Sequence, residues 1–263
     1  MINPQFTNNE IYHLYNRGVD KRKIFMDTSD PFRFIHNLFE FNDQNPAVFF
    51  RSSNNRNKKE KFDIGYRTIE KTPHTQPRKL LVEILVWCLM PNHYHLLVRQ
   101  LVDGGISLFI KKLGIGYTNS FNKKYDRSGV LFQGKFKAVR LTSDAHFTHL
   151  PFYIHLNPID LIEPNWKQEG IKDYKKAIKF LEAYRFSSHM DCIGKKNFPS
   201  VSQRKWLLDV LGGQAEYKKQ CYQWLKSMQS INEKSVPANK ATAKIEQIEE
   251  KMQILQNLAI EKI

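Results

Sequence analysis

Apolar positions in the first 160 residues follow two spacings, and the first of them predicts strands. β-Branched and aromatic residues alternate with polar ones, or run together between turn-forming residues, over 11–19, 81–88, 93–99 and 130–141. Met90, Pro91 and Asn92 predict a turn between the second and third strands, which would then form a hairpin. Gly18 is expected to close the first strand.

The second spacing, of three and four residues, predicts helices over 31–42 and 106–125, although Gly114 and Gly116 disfavour the latter. A third helix is predicted from Ser143 or Asp144 to about Asn157, because Pro158 disfavours helical backbone before it. The resulting order, strand–helix–strand–strand–helix–strand–helix, predicts an α+β domain over 1–160. Its antiparallel sheet is expected to carry the helices on one face.

The remaining residues, 161–263, are predicted to form a helical C-terminal extension. Helical spacing is present over 166–182 and 203–227, and apolar residues recur at three and four over 240–263. A role of this extension in DNA binding or in homodimerisation is left open. Within the first domain, residues 51–79 contain nine Lys and Arg against three Asp and Glu, which predicts a basic insertion that is either a solvated loop or a nucleic-acid contact.

The charge of the whole chain points to a polyanionic partner. It has 41 Lys and Arg against 26 Asp and Glu, a formal net charge of +15, and this excess favours nucleic acid. No apolar run approaches the roughly 18–20 residues of a membrane-spanning helix, and no secretory signal is visible. With three widely spaced cysteines, the sequence suits the reducing cytoplasm of a bacterial-type cell.

His93 and His95 are the first candidate ligands for a metal. Side chains two apart on a strand point to the same face, so the two imidazoles would lie close enough to share an ion. Two ligands do not complete a site, and a buried structural pair explains the same spacing.

On the third predicted helix, Tyr153 and Asn157 share a face because they are four apart. The Tyr153 hydroxyl is a potential nucleophile, and the Asn157 amide oxygen is a potential ligand for a hard divalent ion. The plainer interpretation is that Tyr153 packs in the core and that Asn157 and Pro158 end the helix.

These motifs together resemble one family. The bulky residue between His93 and His95 gives the pattern named HUH, and the segment from Tyr153 to Pro158 resembles the family's nucleophile motif. Ordered segments of the chain resemble those of single-tyrosine transposases in the IS200-like superfamily, REP-associated branch: 12–18, 90–98, 129–137, 153–158 and 184–189.

The resemblance implies a ferredoxin- or RRM-like HUH domain and a mechanism. His93, His95 and Asn157 would hold Mg²⁺ or Mn²⁺, and Tyr153 would attack a phosphodiester of single-stranded hairpin DNA to give a 5′-phosphotyrosine link. Five cations are the candidates for DNA binding: Arg17, Arg99, Lys135, Lys137 and Arg140.

Three other functions compete with a transposase. They are a domesticated hairpin-binding protein that does not cleave, a metal-dependent hydrolase that leaves Tyr153 idle, and an HUH replication initiator or nickase.

Pro151 departs from the pattern expected of the helix that carries the nucleophile, because proline inside a helix removes a hydrogen bond. Either the helix begins near Leu150, with Pro151 in its first turn, or Tyr153 lies beside a kink.

Overall fold

A four-stranded antiparallel sheet forms the centre of the part that the computed structural model describes, residues 3–45 and 78–229. Along the sheet the order is β2-β3-β1-β4. The strands are β1 (Ile11–Arg17), β2 (Val82–Met90), β3 (His93–Gln100) and β4 (Lys137–Arg140). The hairpin predicted at Met90 and Pro91 is confirmed, with β2 and β3 paired along their length.

The fourth strand is shorter than the predicted 130–141. Gly129 and Gly134 have φ of 84° and 64°, in the left-handed region that glycine tolerates and that breaks an extended run. Between them Phe132 makes only an isolated bridge to Gly18. The chain therefore reaches β1 first as a loop and pairs with it as a strand only from Lys137 onward.

Eight helices are present in the described part of the chain. They are α1 (Ser29–Glu40), α2 (Gly105–Lys124), α3 (Asp144–Leu156), α4 (Trp166–Glu169), α5 (Tyr174–Leu181), α6 (His189–Cys192), α7 (Lys205–Val210) and α8 (Gln214–Ser227). A 3-10 turn, Asn157–Leu161, follows α3 directly. In the same residues no helix is both long and apolar enough to cross a membrane.

Two glycines and one proline lie inside helices that the sequence left in doubt. α2 runs through Gly114 and Gly116, and a Cβ at Gly116 would lie 2.4 Å from the Phe41 ring. The glycine therefore admits a close contact with the end of α1, which offsets its low helix propensity. α3 begins at Asp144, which confirms the predicted start, and it runs through Pro151. The alternative in which the helix starts near Leu150 is therefore wrong.

The α+β class with an antiparallel sheet is confirmed, and helices cover both of its faces. On one face α1 and α2 pack on alternate strand residues such as Leu14 and Leu96. The other face is also apolar, at Cys88 and Leu97, and is covered by α3 and helices of the C-terminal extension. The expectation of helices on one face holds for α1 and α2 only, because β2 is buried on both sides and needs two covering layers.

The C-terminal extension also covers one edge of the sheet. Leu89 N donates to Phe186 O at 2.8 Å, and Ser188 N donates to Trp87 O at 2.9 Å, which satisfies backbone groups along the outer side of β2. Buried residues on both sides of position 160 form one cluster. The domain boundary at 160 stays a prediction. The segment 240–263 and nearly all of the basic insertion 51–79 lie outside the described residues.

Gly18 is needed for space rather than for backbone freedom, and this gives a stability prediction. A Cβ there would lie 2.3 Å from Arg22 O, so Gly18→Ala should lower the free energy of unfolding by about 1–3 kcal/mol through overpacking. The matched control is Gly114→Ala, where nothing lies within 4 Å of the added Cβ and a gain of about 0.5–1 kcal/mol is expected. Urea unfolding measures both, and equal free energies for the two variants would contradict the role given to Gly18.

Candidate active site

Three histidines meet on the face of the sheet that α3 covers. His93 and His95 lie on β3, where they share a face as their spacing predicts, and His13 comes from β1. His13 Nε2 and His95 Nδ1 are 2.9 Å apart, within hydrogen-bond distance. The His93 and His95 ring centroids are 5.0 Å apart. The sequence did not indicate a role for His13, because only the pairing of β1 with β3 brings it to His95.

Each of the two candidate ligands has one ring nitrogen engaged. Asn92 Nδ2 donates to Lys21 O, which leaves Asn92 Oδ1 to accept from His93 Nδ1 at 2.7 Å. His95 uses Nδ1 toward His13, and His95 Nε2 is buried with no hydrogen-bond partner among the described residues. A buried nitrogen without a partner is costly unless something else satisfies it.

Burial keeps these imidazoles uncharged. It lowers the pKa of His95 well below its ordinary value, and Coulombic interactions with His93, His13 and Lys167 lower it further. Burial also lowers the pKa of His13 to about 3, and that of His93 to about 3 although part of His93 remains exposed. All three are therefore neutral near pH 7, the form in which an imidazole nitrogen binds a metal.

α3 brings Tyr153 to this cluster. Its ring centroid lies 6.1 Å from that of His95, edge to face. Burial raises the pKa of the Tyr153 hydroxyl, and the nearby Asp160 and Tyr15 raise it further. The hydroxyl is therefore protonated near pH 7 and must lose its proton if it acts as a nucleophile. Tyr15 is a second buried tyrosine at the site, with its ring centroid 5.9 Å from that of His95.

Asn157 lies at the end of α3 with both ends of its amide engaged. Its Nδ2 donates to Tyr153 O at 2.8 Å, and its Oδ1 accepts from Lys167 Nζ at 3.2 Å. Lys167 Nζ also pairs with Asp160 Oδ2 at 2.9 Å and lies 5.3 Å from the centre of the Tyr153 ring. Asp160 and Lys167 follow Tyr153 by seven and fourteen residues, but the predicted helix ends before Pro158, so helical spacing did not indicate them.

No group of three or more His, Cys, Asp or Glu residues in the described ranges is arranged to hold a metal ion. A metal site at His93 and His95 therefore needs an oxygen donor of another kind. The amide oxygen of Asn157 is such a donor, and water or a DNA phosphate would serve as well.

The cations predicted to bind DNA divide between the two ends of β1. Arg17 pairs with His93 across the ladder, and Lys137 pairs with Tyr15, with exposed Lys135 just before β4. At the far end, Arg99 and Arg140 are opposite Ile11 and Tyr12. Those two arginines are engaged within the fold: Arg140 Nη2 lies 2.7 Å from Glu10 Oε1 and Arg99 Nε donates to Glu83 Oε2 at 2.6 Å.

One family model matches the segment that contains His93, His95, Tyr153 and Asn157. Residues 53–157 match the family described as "Transposase IS200 like". Residues 53–157 are therefore similar to an IS200-like transposase domain. The match contains β2, β3, α2, β4 and α3, and with them His93, His95, Tyr153 and Asn157. It does not include β1 or the helices after Asn157.

One similar solved structure is described as a REP-associated tyrosine transposase bound to a REP hairpin. It is 12% identical, covers 76% of this chain and 88% of its own, and superposes with a TM-score of 0.43. None of the curated proteins matches the chain.

A buried polar network attaches α3, the last helix of the segment that matches the family, to the residues that follow it. His155 Nε2 lies 2.7 Å from Ser188 Oγ, and its Nδ1 is bonded to the Tyr217 hydroxyl. Ser188 Oγ in turn accepts from Trp87 N at 2.9 Å. The segment 184–189 thus joins the edge of β2 to α3, and His155 is engaged on the side of α3 away from the three histidines.

Proposed function

We propose that this protein is a metal-dependent transposase that cleaves and rejoins single-stranded hairpin DNA through a covalent bond to Tyr153. The observation that carries the proposal is the contact between Tyr153 and His95, which come from different elements of an IS200-like domain. The REP-associated branch, and with it the hairpin substrate, rests on the resemblance of segment 184–189, which lies outside the family match.

The donor set fits a divalent ion. His95 Nε2 is buried without a protein partner, and the bond from His93 Nδ1 to Asn92 leaves His93 Nε2 as its donor atom. With Asn157 Oδ1 these nitrogens would hold Mg²⁺ or Mn²⁺, for which two neutral imidazoles and an amide oxygen are suitable. When bound, the ion would polarise the scissile phosphate and offset the charge that develops on the leaving 3′ oxygen.

Tyr153 would supply the nucleophile. Its oxygen forms a bond to phosphorus and gives up its proton to water. The bond from phosphorus to the 3′ oxygen breaks, and that oxygen takes up a proton from water. The products are a 5′-phosphotyrosine and a free 3′-OH. The 3′-OH of another strand can then attack the same phosphorus and release Tyr153, so the bond energy is conserved without ATP. Because Tyr153 contacts His95 of its own chain, the geometry supports cleavage within one copy.

The competing functions differ in what they leave on a denaturing gel. A non-cleaving hairpin binder gives neither adduct nor fragments, and a hydrolase gives fragments without attached protein. A replication initiator or nickase would form the adduct and is separated only by transfer of the strand to a second DNA end. Labelled hairpin DNA incubated with the protein and Mn²⁺ therefore tests the proposal, and a labelled covalent adduct that transfers its strand is the expected result.

DNA binding should depend on the cations at the His93 end of β1. Arg17→Gln combined with Lys137→Gln should weaken hairpin binding and flatten the dependence of log K on log salt by roughly 1 per cation removed. Fluorescence anisotropy at several salt concentrations measures both quantities. Arg140→Gln is the control, because that arginine is paired with Glu10 at the other end of β1. A loss with Arg140→Gln as large as with the double variant would contradict this placement of the DNA.

A further inference from the structure

The ammonium of Lys167 lies beside two residues assigned to the reaction, Asn157 and Tyr153. It is bonded to Asn157 Oδ1 at 3.2 Å and to Asp160 Oδ2 at 2.9 Å, with the Tyr153 ring centre 5.3 Å away. Its side chain is only 18% exposed, so it is not a freely solvated charge. A lysine that served only as the partner of Asp160 would not need to contact Asn157 as well.

The hydrogen bonds of Asn157 fix which atom it can offer to a ligand. Its Nδ2 donates to Tyr153 O at 2.8 Å and lies 3.5 Å from Ile154 O. Turning the amide over would lose these bonds and place an oxygen against carbonyl oxygens. Asn157 Oδ1, the proposed third ligand atom, is therefore the atom that Lys167 now contacts.

An ammonium and a divalent cation repel each other at one amide oxygen. Metal–oxygen distances of about 2.1 Å for Mg²⁺ would place the two cations within roughly 5 Å, where like charges interact strongly in a half-buried site. Asp160 gives the ammonium a second partner, so Lys167 can leave Asn157 without becoming unpaired.

We propose that Lys167 is a positioning residue that competes with the divalent ion for Asn157 Oδ1. The inference rests on the proposed function, because it takes Asn157 as a metal ligand. Lys167 then holds Asn157 and Tyr153 in place when no ion is bound. It also raises the metal concentration that is needed to occupy the site.

The test is the affinity of the DNA-free protein for Mn²⁺, measured from the electron paramagnetic resonance signal of the free ion. Lys167→Met should bind Mn²⁺ more tightly than the wild type, on the order of tenfold, because a repelling charge is removed. Lys175→Met is the matched control: it removes the same charge from an exposed position on α5 and should leave the affinity unchanged. Lys167→Arg, which keeps the charge, should also behave like the wild type.

The inference is overturned if Lys167→Met binds Mn²⁺ no more tightly than Lys175→Met. Lys167→Gln, which keeps a polar side chain, repeats the test should the methionine variant fail to fold, and thermal unfolding of each variant shows which result to use. Absence of Mn²⁺ binding in all variants and in the wild type would overturn the inference and the metal part of the proposed function together. The covalent adduct at Tyr153 tests the nucleophile separately, so the two failures are distinguishable.

Discussion

Tyr153→Phe protein is expected to form no covalent adduct with hairpin DNA. The substitution removes the one atom that would bond to phosphorus and leaves the ring, which packs on His95 with centroids 6.1 Å apart. Cleavage should fall by at least roughly a thousandfold, as it does when a covalent nucleophile is lost. Hairpin binding should remain near that of the wild type, because the cations at the end of β1 are unchanged. A denaturing gel measures the adduct, and anisotropy measures the binding.

The matched control for this variant is Tyr15→Phe. Tyr15 is also buried, and its ring centroid is 5.9 Å from that of His95, so proximity alone does not choose between the two tyrosines. Tyr153 is preferred because it lies in the segment that resembles the nucleophile motif and within the family match. Loss of the adduct in Tyr15→Phe together with its retention in Tyr153→Phe would reverse the assignment.

His95→Ala should abolish metal-dependent cleavage while hairpin binding is retained. His95 Nε2 is the buried nitrogen without a partner, and its loss leaves His93 as the single imidazole of the proposed site. The decrease should exceed about a hundredfold, since changes to residues that merely support a ligand already reduce metal affinity or activity by about ten- to a hundredfold. Cleavage rates at a series of Mn²⁺ concentrations measure the effect.

His36→Ala provides the control for this second variant. His36 is an exposed histidine on α1, and α1 packs on the face of the sheet opposite His95, so the change should leave cleavage as in the wild type. Wild-type cleavage by His95→Ala at every Mn²⁺ concentration would refute the metal role of His95. A general loss of folding would be seen in thermal unfolding and would also remove hairpin binding.

Local signals in the sequence were sufficient for much of the fold. The turn at Met90 and Pro91, the alternation around His93 and His95, and the apolar spacing of α1 each depend on neighbours in the chain. The extent of β4 was not predictable in this way, and local signals left open whether α3 runs through Pro151. Pro151 is tolerated because packing of α3 on the sheet and on α8 stabilises the helix beyond its local propensity.

The candidate site, like the fold, was predictable only where neighbours in the chain determine it. Strand periodicity placed His93 and His95 on one face, and helix periodicity placed Tyr153 next to Asn157, but neither related the strand to the helix. His13, Tyr15 and Lys167 belong to the cluster only through the pairing of β1 with β3 and through the 3-10 turn after α3. Their contributions depend on tertiary contacts, for which the sequence holds no periodic signal.

Peptide mapping of the adduct tests the central claim most directly. After nuclease digestion, trypsin cleavage at Arg140 and Lys167 would release a peptide in which Tyr153 is the only tyrosine. Mass spectrometry should find the remaining nucleotide on Tyr153 of that peptide. A nucleotide on the N-terminal peptide that contains Tyr15, or cleaved DNA with no nucleotide attached to any peptide, would contradict the assignment of Tyr153 as the nucleophile.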